Sequence, residues 1–349
     1  NMAYTTINKS TDYFNTNLHT GTGSTQQITT GLNMSANGGM VWNKIRSGSN
    51  NHIMWDTIRT ATKSIYPDLN AAEATEATSL TAFTTTGWTA GGAGNTNANG
   101  STYVSWNWLA GSSHSGSANT DGDVNSTVSA NTTAGFSAVK FTANGSNNDG
   151  IGHGLGVAPK IIFYKRLDST GDWFVVYKFV DGTLDFLKLN TTDAKTDISL
   201  GTYGFSTSTT FSNLGFGNGQ QYYAYCFAEK KGYSKFGSYK GNGNNNGTFI
   251  CTGFKPAWVM IKKTTGDGWQ IFDNKRDPHN VAYHRIEADS NAGDYTGLSA
   301  GWIDMVSNGF KVRYSGGGVG SDNVSYIYMA FAEEPLVANV GSSIPATAR

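Results

Sequence analysis

An all-β chain made of three tandem β-sandwich or jelly-roll units is expected from three features of the 349-residue sequence. One set of landmarks occurs three times in the same order. Apolar and polar residues alternate with period 2 along many short stretches, while helical periodicity is nearly absent. Gly, Thr, Asn and Ser supply 150 residues, a composition of turns and strands, and only six prolines interrupt them. A sheet with one apolar face must bury it against a second sheet, so sandwiches follow.

The landmarks justify each unit in turn. Gly-rich hairpins open at Thr20-Gly-Thr-Gly-Ser24, Thr142-Ala-Asn-Gly-Ser146 and Tyr239-Lys-Gly-Asn-Gly243. An apolar strand closed by a basic residue follows: Met40-Val-Trp-Asn-Lys44, Ile161-Ile-Phe-Tyr-Lys165 and Trp258-Val-Met-Ile-Lys262. Then come a Trp-bearing strand (Trp55, Trp173, Trp269) and a Gly-aromatic step (Gly87-Trp88, Gly204-Phe205, Gly309-Phe310). Each unit ends on an alternating aromatic strand: Tyr103-Val-Ser-Trp-Asn-Trp108, Tyr222-Tyr-Ala-Tyr-Cys-Phe227 and Tyr326-Ile-Tyr-Met-Ala-Phe331. The basic residue recurs after 121 and 97 residues, the closing strand after 119 and 104. These spacings place units at 16–109, 135–231 and 232–335, after an N-terminal segment 1–15 and before a tail 336–349. Residues 110–134, rich in Gly, Ser, Asn, Thr and Asp, read as an exposed linker or loop. The best helix candidate, Asn70-Ala-Ala-Glu-Ala-Thr-Glu-Ala77, is weakened by its threonines.

Composition excludes several function classes. Lys+Arg and Asp+Glu stand at 25 each, so no positive excess exists for nucleic acid. Apolar residues at 38% and aromatics at 13% argue against a disordered chain. No apolar run approaches a membrane span, so no membrane insertion is expected. No basic n-region leads into an apolar h-region, so no secretory signal is expected either. Cys226 and Cys251 each read as a small apolar filler within a strand, unpaired.

Several stretches resemble fibre-like virion proteins of tailed bacteriophages, marine phages especially. They include the opening Met2-Ala-Tyr-Thr-Thr-Ile7 with Tyr13-Phe14, His153-Gly-Leu-Gly-Val-Ala-Pro-Lys160 and Tyr223-Ala-Tyr-Cys-Phe-Ala-Glu229. Gly232-Tyr-Ser-Lys-Phe-Gly-Ser-Tyr239, Thr252-Gly-Phe-Lys-Pro256 and Tyr328-Met-Ala-Phe-Ala-Glu333 complete the set, and the first unit diverges most. The resemblance implies concanavalin-like sandwiches in a tail fibre or other appendage on the outside of the particle. It implies a homotrimer that joins other virion proteins and meets host-surface glycan or receptor, with no catalysis and no cofactor. A capsid decoration or tail adaptor of purely architectural role is the first alternative, and a host-polysaccharide depolymerase the second. The divergent first unit would dock to the particle.

The residues carry little catalytic chemistry. A glycosidase needs a carboxylate pair at one site, and no acidic pair holds its place across the units. Asp56-x-x-Arg59 and Asp273-x-x-Arg276 recur after the Trp strand, with Tyr177 and Val180 at those positions in the second unit. These pairs are expected to be structural, orienting a loop at the surface. His279 and His284 share a segment with Asp277 and Arg285, but their spacing matches no closed zinc set, and no metal is expected. Asp121-x-Asp123-x-Asn125 lacks the later ligands of a calcium loop and reads as a turn. Sugar rings stack on aromatic faces, and Trp269, Tyr283 and Trp302 are the candidates for an exposed face; most other aromatics sit at repeated strand positions and read as core or seam.

Overall fold

The computed structural model describes residues 4–335, except 112, 201–203 and 299. The predicted tail 336–349 lies outside the described residues. The fold is all-β, as expected, with two four-residue helices, Gly94–Asn97 and Gly317–Gly320, and a single 3-10 turn among the described residues. No helix among them is long and apolar enough to cross a membrane.

The sheets sort into three groups along the chain. In each, one large sheet holds an opening strand, the strand ending in the basic residue, its hairpin partner and the closing aromatic strand. The closing strand always lies between the first two: Thr102–Leu109 between Phe14–Thr20 and Gly39–Ile45, Gln221–Phe227 between Phe136–Thr142 and Ile161–Arg166, and Ser325–Pro335 between Ser234–Lys240 and Phe254–Lys263. A smaller sheet of two or three strands accompanies each. Gly87 and Gly309 lie in these smaller sheets, where a Cβ would fall 2.1 Å from the Ile28 carbonyl oxygen and 1.9 Å from that of Ile250. Only glycine permits that approach. In the second unit the matching pair is Thr210-Phe211, laddered to Gly152 and Ile151, so Gly204-Phe205 is not the equivalent step.

Two other expectations are corrected. Residues 110–134 are not a free linker: Ser117–Asn119 and Ser126–Asn131 extend the edge of the second large sheet. An edge strand needs only a few buried anchors, and Val124 and Val128, with Val128 opposite Val139, supply them. The helix candidate at 70–77 forms no helix: Ala74–Thr75 pairs with Lys63–Ser64, and the residues around them are irregular. Its threonines favour strand, and no apolar stripe was there to hold a helix. Cys226 is a buried filler, whereas Cys251 is exposed.

Both faces of each large sheet are covered. In the second unit, Tyr222, Ala224 and Cys226 point into that unit's own sandwich with Ile151, Ile162 and Phe211. Tyr223, Tyr225 and Phe227, on the alternate face, join a core shared with the other two units. The first unit divides likewise, Val41, Ile53 and Trp55 facing Trp88 and Leu80 while Met40, Trp42, Trp106 and Trp108 enter the shared core. At its centre the equivalent residues Trp108, Phe227 and Phe331 form a triangle of rings, with centroids 6.5, 5.5 and 5.9 Å apart.

Around this triangle the units contact one another head to tail, in a closed ring. Trp173 donates its indole N–H to the Tyr66 carbonyl of the first unit, and Trp269 to the Lys188 carbonyl of the second, each at 2.8 Å. His52 closes the ring, its Nδ1 accepting from Trp42 and its Nε2 reaching the Glu287 carbonyl of the third unit at 2.9 Å. Trp269 stands opposite Lys262, and the registers of the other two hairpins, continued by one residue, set Trp173 opposite Lys165 and His52 opposite Lys44; Trp55 corresponds instead to Val176 and Phe272. Four residues beyond each acceptor, a second carbonyl takes a turn amide: Asn50 to Asn291, Gly171 to Asn70 and Asp267 to Thr192.

The repeated lysines serve the same seams. Lys44, Lys165 and Lys262 are wholly buried, with their ammonium groups on backbone carbonyls of those turns and loops. Burial lowers all three to about 8, from 10.5 in the unfolded chain. Between those values the unfolded chain holds protons the folded chain has lost, so the contribution of these groups to stability rises with pH. Urea midpoints measured at pH of about 7.5, 8.5 and 9.5 are expected to show this rise, and Lys44→Met to flatten it. Above about pH 10 the buried Tyr223 and Tyr225, raised by burial, oppose the trend.

Candidate functional site

The Asp-x-x-Arg pairs lie inside these seams, not at the surface. Asp56 and Arg59 are fully buried, with Arg59 Nε 2.5 Å from Asp56 Oδ2 and the Arg59 amide on Asp56 Oδ1. Across the seam, the hydroxyls of Tyr223 and Tyr225 donate to the same carboxylate at 2.6 and 2.9 Å. Asp273 and Arg276 repeat the motif against the first unit, where Trp106 donates its indole N–H to Asp273 at 3.1 Å. The Arg276 guanidinium beside it holds the Asp273 carboxyl below its ordinary range, although burial opposes this. In the seam between the second and third units Tyr177 replaces the aspartate, and Ile327 and Met329 stand where Tyr223 and Tyr225 do. The expectation of surface pairs is therefore corrected: the sequence pairs an acid and a base but does not say which unit covers them.

Arg276 also starts the outer loop of the third unit. Its Nη1 donates to Asp294 at 3.0 Å, and Asp294 accepts from Arg46 of the first unit at 2.7 Å. Asp277 receives the backbone N–H of His284 at 2.8 Å, and the His284 ring nitrogen lies 2.7 Å from its other oxygen. The Asn280 side chain exchanges two hydrogen bonds with the backbone of Met305, at 2.9 and 2.8 Å. Arg285 and Tyr295 pair through their backbones in both directions. A long polar loop is thus tied to itself at three points, to the strand Ile303–Val306 through Asn280, and to Arg46 of the first unit through Asp294.

What the loop presents is an aromatic and cationic platform. The Arg285 guanidinium lies 4.6 Å from the Tyr295 ring centroid and 4.5 Å from that of Trp302, and Trp302 is backed by Tyr314 at 5.2 Å. Tyr295 is 47% exposed and Tyr283 41%. Such a surface stacks on the flat apolar face of a ring and offers charged and phenolic donors at its edge. The carboxylate of Glu287 is engaged by Arg285 and Gln270.

Of the three aromatic candidates, only Tyr283 is exposed. Trp269 is 1% exposed and holds the seam to the second unit, while Trp302, at 4%, is the floor under Arg285. Both are corrected from exposed face to core and support. Tyr295 was missed; its signal was a lone aromatic within Asn291-Ala-Gly-Asp-Tyr295-Thr-Gly297, away from any alternating strand. Asp121 and Asp123 stay in a turn, with Asp123 capping the Gly150 amide at 3.1 Å. On the second unit an open cleft of about 440 Å³ is lined by Lys160, Lys178, Phe179 and Phe205 among others.

Packed sandwich units with an aromatic, cationic outer loop define the class of protein: an all-β scaffold of multiple antiparallel sheets. The chain belongs to the family described as a domain of unknown function (DUF7483), whose model matches residues 9–335. No curated protein and no solved structure matches it.

Proposed function

We propose that this chain is a non-enzymatic structural protein of a tailed-phage particle, a fibre-like appendage whose outer loops hold host-surface glycan or receptor. The observation that carries the reading is the exposed Tyr295 ring stacked on Arg285, with the buried Trp302 as floor beneath them. In this proposal the threefold architecture expected of a homotrimeric fibre is made by one chain, since the aromatic seams of a trimer lie within it. Weak contacts would be multiplied by the copies on a particle. The ring of units also favours the architectural alternative, a decoration or adaptor at a threefold position.

Adsorption of labelled protein to a panel of marine bacterial cells and to a glycan array tests the reading. The expected result is binding by a species of 37.3 kDa in light scattering. Tyr295→Ala should weaken it about tenfold, roughly 1.4 kcal/mol, at unchanged melting temperature. Adsorption to nothing would favour the architectural role, and breakdown of a bound polysaccharide would overturn the non-enzymatic one.

A further inference from the structure

A second cluster of charge lies on the second unit, far in sequence from the outer loop of the third. Lys195 Nζ lies 2.9 Å from Asp181, 2.8 Å from Asp185 and 2.7 Å from Asp197. The three carboxylates can bring one oxygen each within 4.8 Å of one another. Asp185 and Asp197 stand directly opposite in the ladder between Asp185–Lys188 and Thr196–Asp197. Like charges so placed repel, and one ammonium leaves the cluster with a net charge of about −2.

Two buried polar atoms beside the cluster point to a missing partner. Asp185 has a fully buried side chain, and its Oδ2 has no hydrogen-bond partner. Tyr177, opposite Asp185 in the neighbouring ladder and leaving the same face, has a buried hydroxyl that is likewise unpartnered. Buried oxygens of this kind are normally satisfied by water or an ion. Asp181 and Asp197 are exposed, so the cluster opens to solvent on one side. Asp181 is held in place by the backbone N–H and hydroxyl of Thr183.

We infer that Asp181, Asp185 and Asp197 bind one divalent cation of the calcium class, with the Lys195 ammonium as its resident competitor. An all-oxygen, carboxylate-rich site suits a hard cation. The four-carbon stem of Lys195, partly exposed, lets the ammonium swing aside when the ion enters.

Isothermal titration of the full chain with CaCl2 at constant ionic strength tests this. One site per chain is expected, with Kd on the order of 10⁻⁴–10⁻³ M. Lys195→Met should tighten it at least tenfold. Asp197→Asn, at an exposed position that spares the fold, should weaken it at least tenfold and abolish the rise in melting temperature that CaCl2 gives the parent protein. No binding heat in either the parent or Lys195→Met would overturn the inference, as would binding that Asp197→Asn leaves unchanged.

Discussion

Asp56→Ala is expected to lower the unfolding free energy by about 3–5 kcal/mol, the cost of leaving a buried charge without its partner. Asp56 accepts from the Arg59 side chain and amide and from the hydroxyls of Tyr223 and Tyr225. Its removal strips three groups in two units, all of them inaccessible to water. Arg59 keeps a 3.3 Å contact with Glu73, its carbonyl bonds, a 3.4 Å bond to the Tyr225 hydroxyl and its place over the Tyr223 ring, none of which replaces the lost carboxylate at its Nε. Adding Arg59→Met to Asp56→Ala should recover part of the loss, because no unpaired charge then remains in the seam. Urea denaturation followed by tryptophan fluorescence reads both values. A loss below about 1 kcal/mol for Asp56→Ala would mean that water reaches the pair.

Phe331→Ala should cost a similar amount, about 3–5 kcal/mol for emptying a fully packed aromatic site. Its ring meets those of Phe14, Trp108 and Phe227 from the other two units at 5.4 to 5.9 Å. Tyr233, Phe236 and Trp258 surround it within the third unit at 5.8 to 5.9 Å. The loss should therefore not be local. Hydrogen exchange is expected to show protection falling together in the large sheets of all three units. A fall confined to residues 232–335 would show that the units stand independently and that the shared core adds little.

The sequence made the strands legible because each landmark has a local physical cause. The closing strands fall where the alternating aromatics place them, and Gly87 and Gly309 mark steps where a carbonyl leaves no room for a Cβ. Residue type misled where the role persisted under a different side chain. His52 does the work of Trp173 and Trp269 through another ring N–H, so a search for tryptophan lands on Trp55. The second face of the sheets was the larger gap. Tyr223, Tyr225 and Phe227 are as apolar as a core requires, and nothing local says whether their cover comes from the same chain or another. The platform at Arg285 escaped for a related reason: Tyr295 and Trp302 are near in sequence, but only the fold decides which ring is floor and which is face.

The head-to-tail ring has a consequence for how this molecule can change over generations. In a homotrimer every substitution is made three times, and a change useful at one position must be tolerated at the other two. Here the three seams are separately encoded. Two hold an Asp–Arg pair, and in the third Tyr177 stands at the aspartate's position and Ile327 and Met329 at those of Tyr223 and Tyr225. The outer loop with Tyr295 likewise belongs to one unit alone. Joining the copies in one gene releases each from the others, so one unit can specialise while its neighbours preserve the frame.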